Sequence, residues 1–148
     1  MQRETSNQIT ISFDGILNVL GLPLIKAYNG KMELHFLLDT GSSSNFVRTD
    51  IPELMDKCML IKKECGSCYG IDKVVHKTQL YSMPFYIHGR HFNDAFETMP
   101  TSKALDFAIG RHIIRTHGIL GIPFLIKNRI VLDFSQKSMY ESMRSLII

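Results

Sequence analysis

Tryptophan is absent from the 148 residues, cysteine occurs three times and proline five times. Three cysteines (Cys58, Cys65 and Cys68) are an odd number and too few for a disulfide scaffold, so a reducing compartment suits the chain. No apolar stretch approaches the roughly 18–20 residues that a membrane-spanning helix needs. Met1 to Thr10 are polar and lack the apolar core of a signal peptide, so the expectation is a soluble cytoplasmic protein without a membrane partner. No Lys/Arg run occurs. The 17 basic and 14 acidic side chains leave a net charge of +3, which gives no footprint for nucleic acid. The glycines form no phosphate loop, and Ser42, Ser43 and Ser44 sit in no Gly-x-Ser-x-Gly elbow. The six histidines are scattered, with no His-x3-His pair on a helix.

What is there is ordinary globular composition, 45% hydrophobic and 21% charged, which argues against disorder. The length suits one domain over residues 1–148, with a core of about 22–140. A polar arm turns to strand near Ile9 to Phe13. Leu24 to Tyr28 lead into Asn29-Gly30, and Met32 to Leu38 lead out. Asn-Gly predicts a type I′ hairpin, because both residues tolerate positive φ. Asp50 to Lys57 read as a short helix, with Asp50 as N-cap and Pro52 and Glu53 in the first turn. Short strands are expected at Met59–Lys62 and Val74–Tyr81, then a turn through His88-Gly89-Arg90. Ser102–Arg115 read as an amphipathic helix with Leu105, Ala108, Ile109 and Ile113 on one side. A helical turn is expected at Pro123, and strands at Arg129–Phe134 and Lys137–Tyr140. The class is all-β with two or three short helices. A weak repeat is visible: Leu22-Pro23-Leu24 reaches Gly30-Lys31, and Met83-Pro84-Phe85 reaches Gly89-Arg90.

The candidate chemistry lies at Asp39. Three apolar residues, Phe36-Leu37-Leu38, precede it, so its carboxylate emerges from a buried strand. Gly41 allows a tight turn, Thr40 can lock the loop through the backbone, and Ser42 can donate to a carboxylate. Asp-Thr-Gly is also ordinary turn composition. A lone carboxylate has little power over a peptide bond. Two that share a proton act as base and acid on one water. One such loop per chain requires two chains at a two-fold axis.

Phe36 to Ser44 resemble the active-site strand and loop of aspartic peptidases. His117 to Leu125, with Ile119-Leu120-Gly121, resemble the apolar-apolar-Gly segment that crosses behind that loop, and Val131 to Phe134 the strand after it. One motif in a short chain resembles the retropepsin-like group, above all its small bacterial members. The resemblance implies an acid-protease closed barrel, a half-lobe that dimerises, and an aspartic endopeptidase acting on peptide or protein substrates without metal or cofactor. It implies Asp39 as catalytic residue, with Thr40, Gly41 and Ser42 supporting its loop and Ile119, Leu120 and Gly121 as the second loop. It implies Tyr69, Gly70 and Ile71 at the start of a flap over substrate. It further implies that the terminal segments Ile9–Phe13 and Ser145–Ile148 are interface strands. Three features depart from the viral pattern: the flap lacks a second tip glycine, Ile122-Pro123 replaces the usual Arg and Asn or Asp, and Ser102–Arg115 is an insertion.

Two other readings compete. The fold could be a catalytically silent module that binds peptides or dimerises a partner. Cys65-Gly66-Ser67-Cys68, with Cys58 and His76, could form a Cys3His zinc site, although free thiols are the simpler account.

Overall fold

The computed structural model describes residues 10–13, 21–69, 75–99 and 105–142, the side chains of 65, 67–69, 76 and 109 excepted. Strand β1 is Thr10–Ser12, β2 Leu24–Asn29, β3 Met32–Leu38 and β4 Phe46–Arg48. Helix α1 is Pro52–Met55, followed by β5 Met59–Tyr69, β6 Val75–Ile87 and β7 Arg90–Met99. Then come β8 Asp106–Ile109, β9 His112–Arg115, β10 Gly118–Leu120, helix α2 Ile122–Lys127, β11 Ile130–Asp133 and β12 Ser138–Glu141. Among the described residues, no helix is long and apolar enough to cross a membrane.

The strands pair in the order β2-β3-β10-β4-β7-β6, and Tyr28 of β2 pairs back with Tyr86 of β6. The result is a closed barrel of six strands, with β5 added outside on β6. Alternation along β3 and β7 sends Leu34, Phe36 and Leu38, and Phe92 and Phe96, inward. Phe36, Phe85 and Phe96 lie within 6.0 Å of one another by ring centroid, and Phe92 and Phe124 extend the cluster. Each such ring, withdrawn from water, stabilises the fold by roughly 1.5–3 kcal/mol. Helix α2 contributes Phe124 and Leu125 to this core and leaves Ile126 exposed.

The hairpins show what the turn residues decide. Asn29 pairs with Met32, so the two-residue loop is Gly30-Lys31. Gly30 has φ +57° and neither Asn29 nor Lys31 is positive. One positive φ at the first loop position defines type II′, not the expected I′. At His88-Gly89 both φ values are positive, 52° and 80°, and the turn there is of the I′ kind.

Several expectations are corrected. Ser102–Arg115 is not a helix where it is described: β8 and β9 form an antiparallel hairpin around Gly110-Arg111, with Gly110 at φ +60°. Ile109 and Ile113, four apart, suit a helix stripe, but a glycine at the first loop position suits a II′ hairpin better. Residues 102–104 lie outside the described residues. Strands β5 and β6 are far longer than expected and form one hairpin. Asp50 does not cap α1; Ile51 holds that position without a side-chain bond. Strand β1 pairs with β12 of its own chain, Ile11 opposite Met139, and β11 completes that small sheet. Ile9 and Ser145–Ile148 lie outside the described residues.

Candidate active site

Strand β3 delivers Asp39 at the mouth of the barrel. Leu38 and Phe36 are buried, and Asp39 is the first residue past the strand. Its N–H donates to the Leu120 carbonyl at 3.0 Å, so the loop is anchored on β10 from its first residue. Its Oδ1 accepts the Gly41 N–H at 2.8 Å, and its carbonyl accepts the Ser42 N–H at 3.2 Å. The carboxylate is thereby aimed by its own turn. Thr40 and Gly41 are exposed, and the Thr40 hydroxyl has no partner among the described residues. Ser42 departs from expectation: its hydroxyl donates to the Ser44 carbonyl at 2.6 Å and is thus committed to the loop.

The second loop fits behind the first. Gly118, Ile119 and Leu120 lie parallel to Phe36, Leu37 and Leu38, residue for residue. A Cβ on Gly121 would collide with the Ser44 carbonyl oxygen and sit 2.7 Å from that of Ser42, so only glycine permits this approach. The Ile122 N–H donates to the Ser42 carbonyl at 2.9 Å. Asn45 ties the pieces together. Its Oδ1 accepts the Gly121 and Phe124 N–H groups at 2.9 and 3.2 Å, and its Nδ2 donates to the Ala95 carbonyl at 3.1 Å. It caps α2 from the end of the Asp39 loop, because Gly121 at the N-cap has no side chain to do so.

Beneath the loops lie buried polar groups. His117 Nδ1 accepts the His35 N–H at 3.0 Å, while the His117 N–H donates to the His35 carbonyl at 2.8 Å. Burial pushes the His117 imidazole down to about 4, helped by the neighbouring His35, Arg115 and Arg48 charges and opposed by Asp106. Burial likewise lowers His35, against the attraction of Glu33. Arg48, 2% exposed, is gripped by Asp50 through two bonds of 3.0 and 2.7 Å and by Asp106 at 2.6 Å, and also donates to the Thr116 carbonyl. The hydrogen bonds that Arg48 donates to Asp50, the largest influence, raise the guanidinium, and Asp50 in turn is held below the usual carboxylate range.

No protein-family profile and no curated protein matches the chain. Solved structures do. The retroviral protease-like domain of Ddi1 from Leishmania major superposes with a TM-score of 0.54 at 11% identity, over 84% of this chain and 96% of that one. A retropepsin-like aspartic protease from Rickettsia conorii superposes with a TM-score of 0.52 at 14% identity, over 90% of this chain and 97% of that one. The fold is retropepsin-like. The all-β expectation and the resemblance read from Phe36–Ser44 and His117–Leu125 both stand.

In this retropepsin-like frame, Asp39 and Ser42 are bonded to Leu120 and Ile122 of the second loop, Ile119 lies beside Leu37, Gly121 packs on the Ser42 and Ser44 carbonyls, and Thr40 and Gly41 form the exposed turn between. Tyr69 ends β5 and pairs antiparallel with Val75 of β6, while Gly70 and Ile71 lie outside the described residues. Of the possible zinc set only Cys58 is described; the side chains of Cys65, Cys68 and His76 lie outside the described residues. The Cys58 thiol donates to the Leu54 carbonyl at 3.3 Å, packs 3.9 Å from the Met83 sulfur and is pushed up to about 11 by burial. Among the described residues, no group of three His, Cys, Asp or Glu side chains could hold a metal ion. Sequence reasoning missed Asn45, Arg48 and His117. Only Asn45 carried a signal, as a polar residue directly before the apolar Phe46-Val47.

Proposed function

We propose that the chain is an aspartic endopeptidase that works as a homodimer, hydrolysing peptide bonds with a water held between Asp39 of two subunits. The observation that carries this is the seat of Asp39: a half-buried carboxylate past a buried strand, oriented by the Gly41 N–H and backed by the Leu120-Gly121 crossing. The chain carries one Asp-Thr-Gly loop, and the segment behind it, Ile119-Leu120-Gly121-Ile122, contains no acid. A partner chain supplies that carboxylate.

With the two carboxylates within hydrogen-bond reach of one water, one is ionised and takes the water's proton. The other is protonated and donates to the carbonyl oxygen of the scissile bond. The hydroxide adds to the carbonyl carbon, and the tetrahedral intermediate collapses as the leaving nitrogen receives a proton. The pair titrates as a unit, giving a bell-shaped pH dependence. The exposed Thr40 hydroxyl suits a contact with its own copy across the two-fold axis. The long β5–β6 hairpin suits main-chain bonding to an extended peptide. The three cysteines suit a reducing cytoplasm.

Digestion of a peptide library by wild type and Asp39→Asn tests this. Cleavage is expected to vanish in the variant, to resist EDTA and to rise in specific activity with enzyme concentration until dimer dominates. Excess Asp39→Asn chain mixed with wild type is expected to poison activity. Activity per chain that stays flat on dilution of a sedimenting monomer refutes the shared site. Binding without cleavage favours the silent module.

A further inference from the structure

We propose that Glu97 is the specificity-determining residue of this site, selecting peptides that carry a lysine or arginine side chain beside the bond to be cut. The proposal rests on Asp39's loop receiving an extended peptide. Glu97 is the residue at which that loop and the β5–β6 hairpin meet. Its N–H donates to the Asn45 carbonyl at 2.8 Å, at the end of the Asp39 loop, and its register partner on β4 is Phe46. Its carboxylate turns the other way. Oε1 accepts the Thr78 hydroxyl of β6 at 3.2 Å and lies 3.4 Å from where a Cβ on Gly66 of β5 would stand.

The charge there is uncompensated. Leu80, directly opposite on β6, is apolar, and Phe46 on the other side is apolar. Among the described residues, no cation lies within ion-pair distance of Glu97. The nearest by register is Lys62, opposite Leu80 and thus two strands away at roughly 10 Å. Arg48, further along β4, is fully engaged by Asp50 and Asp106. A carboxylate has about four acceptor positions, and the Thr78 hydroxyl fills one. Glu97 is half-buried, so water screens it incompletely, and the exposed Gly66 beside it has no side chain to cover Oε1. An ammonium or guanidinium group entering from an extended peptide supplies the missing partner, in a charge-assisted hydrogen bond stronger than a neutral one.

The test is binding, measured apart from catalysis. Fluorescence anisotropy with the Asp39→Asn chain reads affinity for extended peptides in which Lys, Met or Glu is scanned through each position. At one position, Lys is expected to bind roughly tenfold or more tighter than Met, the size of one hydrogen bond to a charged group. Glu97→Gln retains an oxygen for the Thr78 hydroxyl and is expected to reduce that ratio to about twofold; Glu97→Lys is expected to invert it toward the Glu peptide. The proposal is overturned if no position prefers Lys, if the preference survives in Glu97→Gln, or if no peptide binds. Cleavage by the Asp39 form is scored separately. Lys-selective binding without cutting sinks the hydrolytic mechanism and upholds Glu97. Cutting without Lys preference does the reverse.

Discussion

Acid should weaken this fold through His117 in a measurable way. The imidazole is 8% exposed, and its Nδ1 accepts the His35 N–H, which fixes the neutral Nε2–H tautomer. A proton on Nδ1 abolishes that bond and sets two N–H groups against each other between β3 and the start of β10. The folded group titrates at about 4, against about 6.5 in an unfolded chain. As pH falls below 6.5, the unfolded state takes up the proton first. The contribution is therefore fully present above about pH 6.5, shrinks as pH falls toward 4 and does not change further below that. The gap of about 2.5 units corresponds to about 3 kcal/mol, or roughly 10 °C in melting temperature. Urea unfolding at pH 7.5, 6, 5 and 4.5 reads it, with His117→Asn as control. Asparagine keeps an acceptor oxygen near the Nδ1 position and does not titrate. Other groups, His35 and Asp50 included, titrate in both proteins, so the difference in slope belongs to His117. Wild type is expected to lose roughly 2.4 kcal/mol more than the variant between pH 7 and 4.5. Equal slopes would refute the assignment. The same effect sets a lower pH limit for any activity that has an acid optimum.

Arg48→Met strands the Asp50 and Asp106 carboxylates against a buried site; about 3–5 kcal/mol of stability should be lost, and limited proteolysis should cut first in the β8–β9 hairpin that Arg48 fastens. Gly121→Ala forces the Ser42 and Ser44 carbonyls apart; about 1–3 kcal/mol should be lost in thermal unfolding, while cleavage should fall on the order of 100-fold, because the Asp39 loop moves with those carbonyls. A Gly121→Ala protein as active as wild type would separate the second loop from the site.

The parts legible in the sequence were those whose causes are local. An apolar strand stopping at Asp39-Thr40-Gly41, the glycines of the hairpin turns and Pro123 near a helix start each act through their immediate neighbours. The turn type at Asn29-Gly30 was misjudged because register, not composition, decides which two residues form the loop. Ser102–Arg115 was misjudged because Ile109 and Ile113 match a helix period, while the deciding Gly110 weighs as one residue among many. Asn45 and Arg48 were invisible for another reason. Their partners, Ala95, Gly121, Phe124 and Asp106, lie 50 to 79 residues away, and nothing local tells a buried polar side chain from an exposed one. The length of β5 was hidden by its bulges, which shift register between Leu60 and Lys62 and again before Gly66.

The anchoring of Asp39 on Leu120 also orders events during synthesis. The aspartate leaves the ribosome about 80 residues ahead of the segment that seats it, a delay of roughly 4–16 s at ordinary elongation rates. Until β10 inserts beside β3, the Asp39 N–H lacks its acceptor and the Ser42 and Ser44 carbonyls lack the Gly121 backbone they pack against. Nascent chains and fragments cut before β10 therefore carry the aspartate without its seat, and the site matures only once β10 has been made.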